Sequence, residues 1–433
     1  MTANPKRSGL SRRHFVTGAL GTGAAVGVGA TLAGCSAREG EPAVGPPAPR
    51  YVEFAGPHQA GVTAVPVPNQ GLMAAFTVIA DGREQLAATL AELTDEIRGL
   101  MSGRPPEQRG RAYPPVDSGI LGEEPPPDDL SVVVSVGASL FDDRFGLADQ
   151  KPKELVEMPF LANDRLDPQL SHGDLLLTME AGHVDTLQFA LRQLMRRTRR
   201  HLVLHWMMDG YSRGAGAVSH AATPRNLLGF KDGTANLDSE DQALMDRYVW
   251  VGPDDGEPAW AVGGSYQAVR IIRMFVEFWD RTRLVEQEEI FGREKISGAP
   301  LGMTDEFAEP DYADDPDGKR IPLDAHIRLA NPRTPETEDS LILRRGFSYV
   351  RSFDGAGRLD QGLAFVSYQR SLERGFLAVQ NRLTGEPLEE YILPVGGGFF
   401  FALPGVESPD EFLGEALVGK PHRHNGSRPE QPR

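Results

Sequence analysis

The chain has 433 residues, too many for a single ordinary core, so two domains are expected. Its 40% hydrophobic and 24% charged residues are a globular mix, and a net charge of -16 argues against nucleic-acid binding, which needs clustered Lys and Arg. One cysteine, Cys35, excludes an internal disulfide, a thiolate zinc site and an iron–sulfur cluster, so any redox chemistry needs a cofactor held by other ligands.

The N-terminus reads as an address. Lys6, Arg7, Arg12 and Arg13 precede an apolar, small-residue run from Phe15 to Gly34, the order of a signal peptide. Ser11-Arg12-Arg13-His14-Phe15-Val16 resembles a twin-arginine signal, which carries folded proteins, and predicts a periplasmic or extracellular product. Leu32-Ala33-Gly34-Cys35 resembles a lipobox and predicts a lipid anchor at Cys35, the only membrane attachment expected. Residues 1–35 are thus the signal, and 36–50, rich in Pro, Gly and charge, a flexible linker.

Strands are expected at 72–79, 130–136, 173–179 and 202–208. Leu86, Leu90, Leu93, Ile97 and Leu100 mark a helix with one buried face, and 184–199 a second. The order strand-helix-strand, strand-helix-strand is that of a ferredoxin-like unit. It recurs: a long strand at 268–279, a helix at 282–291, strands at 341–349 and 363–369, a helix at 372–383 and a strand at 398–403. The expected fold class is α+β, with two ferredoxin-like domains, 51–215 and 216–420, whose antiparallel sheets pack together. Residues 298–324 form a long acidic loop, and 421–433 a polar tail in which His422 and His424 are ordinary disordered residues.

Three segments carry candidate chemistry. In Gly229-Phe230-Lys231-Asp232-Gly233-Thr234-Ala235-Asn236, the Asp-Gly step is by itself a turn signal. His326, in Asp324-Ala325-His326-Ile327-Arg328-Leu329-Ala330-Asn331-Pro332-Arg333, is by itself more often structural than a ligand. Arg344 and Arg345 end an apolar strand, where a salt bridge or an edge charge would account for them.

Together these segments resemble the dye-decolourising peroxidase family, most closely its exported deferrochelatase/peroxidase branch. Gly229 to Gly233 matches the family's Gly-x-x-Asp-Gly motif, His326 its haem-ligating histidine, and Arg344 its arginine on the peroxide side. Gly137 to Leu147 and Gly173 to Leu177 match supporting segments, and the likeness spans about 50–420. The resemblance implies one haem b per subunit in the C-terminal half. It makes Asp232 an acid–base residue and Arg344 a charge stabiliser, with cofactor contacts at Gly233, Thr234, Ala235, Asn331, Pro332 and Arg333. Arg333 suits a propionate. Arg345 competes with Arg344, because a one-residue slip turns a strand residue over. Asp324 is one candidate to orient the His326 ring.

The function so implied is peroxide-driven oxidation of organic donors or ferrous iron outside the cytoplasm, linked to iron uptake through a permease partner. The alternatives are deferrochelation, which removes iron and leaves the porphyrin intact, and non-catalytic haem binding by a lipoprotein. The resemblance also implies a homo-oligomer.

Overall fold

The structure, a computed structural model, describes residues 50–107, 109–213 and 223–421. The signal segment with Cys35, the linker before Arg50 and the tail beyond Pro421 lie outside the described residues.

The first half runs β1 (Gln70–Val78), α1 (Arg83–Met101), β2 (Ser131–Gly137), β3 (Leu175–Ala181), α2 (Val184–Thr198) and β4 (Leu202–Tyr211). The second half opens with α3 (Gln242–Tyr248), β5 (Ser265–Met274), α4 (Val276–Trp279), α5 (Leu284–Phe291) and α6 (His326–Ala330). It closes with β6 (Leu343–Arg344), β7 (Phe347–Phe353), β8 (Leu359–Gln369), α7 (Ala378–Leu383), β9 (Ile392–Ala402) and α8 (Glu415–Val418).

Every pairing between these strands is antiparallel, so the fold is α+β on an antiparallel sheet. The strands run in the order β5-β9-β2-β3-β1-β4-β7-β8-β6, and a further pairing of β5 with β8 closes the ring. The halves therefore join edge to edge through two seams, and their inward faces share one core cluster. One seam pairs Ser135, Val136 and Gly137 with Ala402, Phe401 and Phe400, and the other pairs Tyr211 with Ser348. Each seam satisfies edge N–H and C=O groups that would otherwise stay open.

Both faces of β2, β3 and most of β1 are buried, which is why β1 reads as a nearly unbroken apolar run. Leu72, Ala74 and Phe76 pack outward beneath α1 and α2, while Met73 and Ala75 point inward with Val133, Leu176, Trp206, Val269 and Phe400. The buried stripe of α1 is Leu86, Leu90, Leu93 and Ile97, each burial contributing roughly 1.5–3 kcal/mol. The interior also holds a paired polar network, although the buried Tyr349 hydroxyl has no hydrogen-bond partner among the described residues. Ser135 donates to Gln267 (2.7 Å), and Gln267 donates to Thr178 (2.9 Å) and Tyr368 (3.1 Å).

Two expected strands are corrected. The strand expected over 268–279 stops at Met274, because Phe275 turns the chain (φ -85°, ψ 67°) and the Trp279 indole N–H reaches the Leu228 carbonyl at 2.8 Å. The strand expected over 341–349 breaks into β6 and β7 at Arg345-Gly346, where Arg345 turns into the interior. The helices α3 and α6 are too short for a periodicity signal, and neither was expected from sequence.

Candidate active site

Asp232 closes a small hairpin. Its N–H donates to the Pro224 carbonyl (2.8 Å), and the Asn226 N–H donates to Phe230 (3.0 Å). Phe230 anchors the hairpin by stacking on Phe291 at 4.1 Å and meeting Trp279 edge-on at 6.0 Å. The glycines on either side are required. Gly229 has φ +88° and a Cβ there would meet Lys295 Cε at 2.7 Å, while Gly233 has φ +129°.

Arg344 meets this loop from β6. Its Nη1 donates to Asp232 Oδ1 at 2.5 Å, and both side chains are about 30% exposed (31% and 27%), so the pair is open to a small solute. Asn236 holds the arginine by both backbone groups: its Oδ1 accepts from the Arg344 N–H (2.8 Å) and its Nδ2 donates to the Arg344 carbonyl (2.9 Å). Arg345 is elsewhere. It is buried against Glu180 of β3, with Nε–Oε1 at 3.2 Å and a further bond to the Ala64 carbonyl at 2.9 Å. Of the two arginines, Arg344 is the one beside Asp232.

His326 is the first residue of α6. Its Nδ1 is bound to the buried Glu386 carboxylate at 2.7 Å, and among the described residues Nε2 has no hydrogen-bond partner. Burial disfavours the charged ring, but Glu386 outweighs it and holds the imidazole above its ordinary pKa. The fields of Asp232 and Arg344 both act on His326, so the three groups share one electrostatic neighbourhood. Arg382 satisfies the open end of α6, donating to the Leu329 (3.1 Å) and Ala330 (3.0 Å) carbonyls.

The remaining expected residues are spread around these two centres. Asn331 ends α6, and its Oδ1 accepts from the Arg333 N–H (3.1 Å). Pro332 is half-buried, Ala235 is exposed, and Arg333, at φ +57°, pairs with Glu309 at 3.2 Å. The Thr234 hydroxyl donates to Glu306 at 2.9 Å. Asp324 is exposed and makes no bond to His326. The ring's partner is Glu386, sixty positions along the chain, and no local pattern in the sequence marks it. The holding role of Asn236 and the capping role of Arg382 were equally unmarked.

The two supporting segments of the first half prove to be one unit. Arg144 donates to both oxygens of Asp174, at 3.0 and 2.8 Å, and Asp174 also accepts from Ser139 (2.6 Å) and the Val78 N–H (2.7 Å).

The donor set fits haem b. The imidazole keeps one nitrogen free for iron, Arg333 offers a cation for a propionate, and no residue of α6 is fully buried, so Ile327 and Leu329 have apolar surface to cover. Among the described residues, no cluster of three or more His, Cys, Asp or Glu offers a competing metal site. An imidazole with one nitrogen free and a guanidinium–carboxylate pair in the same electrostatic neighbourhood are the kinds of group that haem peroxidase chemistry calls for.

The chain belongs to the Dyp-type peroxidase family: the family's N-terminal model matches residues 59–212 and its C-terminal model 223–407. It is an enzyme of that family, with haem as its cofactor. Proteins named deferrochelatase from Escherichia coli O157:H7 and Shigella flexneri are each 53% identical over 369 residues, 84% of this chain and 86% and 87% of theirs. Among solved structures, ferric DtpA from Streptomyces lividans is 34% identical with a TM-score of 0.77, covering 86% of this chain and 97% of that one. A DyP-type peroxidase from Cellulomonas bogoriensis is 32% identical with a TM-score of 0.76, covering 86% and 98%.

Proposed function

We propose that the chain is an exported haem b peroxidase in which His326 ligates the iron, Asp232 carries the peroxide proton and Arg344 stabilises the charge that develops. The observation that carries this is the Arg344–Asp232 pair, held by Asn236 within electrostatic reach of a histidine whose Nδ1 is already occupied. When bound, haem b supplies an iron centre that takes two oxidising equivalents from hydrogen peroxide and returns them to a donor one electron at a time. The protein does the rest. Glu386 fixes the imidazole so that Nε2 is the free donor. Asp232 accepts the proton from one peroxide oxygen and returns it to the other, and the permanently charged Arg344 guanidinium offsets the negative charge on the departing oxygen. Gly233, Thr234 and Ala235 on one side, and Asn331, Pro332 and Arg333 on the other, line the cofactor.

A second reading is favoured by the relatives' printed name: release of iron from haem with the porphyrin left intact. Both activities suit a protein exported by the twin-arginine route, lipid-anchored at Cys35, assembled as a homo-oligomer and serving an iron permease by oxidising ferrous iron. We read the folded part as two ferredoxin-like halves, 51–215 and 216–420. The orders β4-β1-β3-β2 and β9-β5-β8-β7 support this, since they are the same arrangement twice.

The test is a spectrum. Purified protein should show a Soret band that changes on adding one equivalent of peroxide and recovers with a dye donor. Asp232→Asn should keep its haem and lose most peroxide reactivity, and His326→Ala should lose most bound haem. Full reactivity in Asp232→Asn overturns the role of Asp232. Free porphyrin recovered from added haem without peroxide would move the second reading to the front.

A further inference from the structure

The acidic loop after Gly298 reaches back to the Asp232 hairpin through one side chain. Glu306, 10% exposed, accepts from the Thr223 hydroxyl and from the Thr234 hydroxyl (2.9 Å) on one oxygen, and pairs with Lys231 Nζ on the other. These partners bracket Asp232. Lys231 directly precedes it and Thr234 lies just beyond Gly233. Thr223 precedes Pro224, the acceptor of the Asp232 N–H. Glu306 is itself anchored. Its carbonyl accepts from Arg293 Nη1 (3.0 Å), which also donates to the Gly298 carbonyl (2.6 Å), and Arg293 is buried. Burial penalises the Glu306 charge, but Lys231 and the two hydroxyls outweigh it and keep the group ionised.

We propose that Glu306 is the positioning residue for Asp232, a buried carboxylate that fixes the hairpin on both sides of the proton carrier while touching neither peroxide nor cofactor. This rests on the reading of Asp232 as that carrier. The need for it is local: Gly229 and Gly233 leave the flanking backbone intrinsically loose, and among the described residues Asp232 is held by Arg344 and its own N–H bond. Proton transfer demands hydrogen-bond reach, and a misplacement of about 1 Å costs about 10²-fold in rate. A mere neutralising partner for Lys231 would contribute stability and leave the rate per bound haem alone.

The experiment compares wild type, E306A, E306Q and the T223V/T234V pair, each as full chain. Two readouts are taken: hydrogen exchange of amides 224–236 in apoprotein, and the peroxide rate constant per bound haem with the donor KM alongside. E306A is expected to speed exchange of the Asp232 amide by at least about tenfold and to lower the peroxide rate by about 10²-fold, with donor KM unchanged. E306Q should fall between E306A and wild type, because its amide oxygen still accepts from the threonines. Unchanged exchange together with an unchanged rate per haem overturns the proposal, as does a rate loss that only tracks haem loss. Should E306A not accumulate, T223V/T234V is judged by the same criteria, since it removes two contacts and leaves no charge unpaired. D232N separates the two readings. If it keeps full peroxide reactivity, Asp232 is not the carrier; if it loses reactivity while exchange stays protected, Asp232 stands and the E306 variants decide.

Discussion

Replacing Glu386 by Gln is the most direct probe of the histidine. The side chain is 4% exposed, its Oε2 lies 2.7 Å from His326 Nδ1, and among the described residues that is its only side-chain bond. Glutamine keeps the volume and a neutral acceptor but removes the charge. A hydrogen bond to a charged group is worth about 1.5–3 kcal/mol, roughly twice a neutral one, so about 1–1.5 kcal/mol of ring orientation should go. At 1.4 kcal/mol per decade, that is about a tenfold loss of haem affinity, the lower end of what outer partners of metal ligands usually contribute. The less basic imidazole should also favour ferrous over ferric iron and raise the midpoint potential. The assay is a haem titration of apoprotein followed at the Soret band, with a potentiometric titration of the loaded protein and a thermal melt to check the fold. Affinity within twofold of wild type and an unchanged potential would refute the assignment of Glu386 as the residue that presents His326.

Two further outcomes test the frame around the site. Asp174→Asn should cost about 3 kcal/mol at neutral pH, since it weakens charge-assisted bonds from Arg144, Ser139 and Val78. Burial alone would raise the Asp174 pKa, but these donors hold it below the usual carboxylate range. Its stabilisation is therefore present above about pH 4 and lost as pH falls through the folded value, so the Tm gap between wild type and variant should narrow on acidification. A gap that stays constant from pH 7 to pH 3 counts against it. Arg345→Met should cost about 3–5 kcal/mol in urea unfolding by leaving Glu180 charged and buried, and adding Glu180→Met should recover most of that. A double variant no more stable than the single one would mean that the pair is not the source of the loss.

Much of the fold was legible because its strands are long, β-branched or leucine-rich, and separated by helices with a clear stripe. Val132 to Val136 and the α1 leucines could scarcely be read otherwise. What failed was local geometry decided by distant partners. Trp279 looked like the end of a strand until its indole found Leu228, and the arginine pair looked like one strand until Arg345 found Glu180. At the site, Asp232, His326 and Arg344 stood out only as spaced motifs in order, since each alone had an ordinary structural explanation. Their supports were invisible. Glu386, Glu306 and Arg382 are common residues in loops and a short helix, and they matter through contacts that span dozens of positions.

The adjacency of Arg344 and Arg345 ties the pocket to the interior of the ring. One guanidinium meets Asp232, where we propose the reaction takes place, and its neighbour closes a buried ion pair with the other half of the chain, so their backbone register has two masters. A single-residue insertion or deletion within the arginine pair would shift one guanidinium relative to the other against the ladder of β8, forfeiting chemistry or core. Length variation should therefore be tolerated in the hairpin tip after Phe353 and excluded from the five residues before it that begin at Ser348 and from the arginine pair itself.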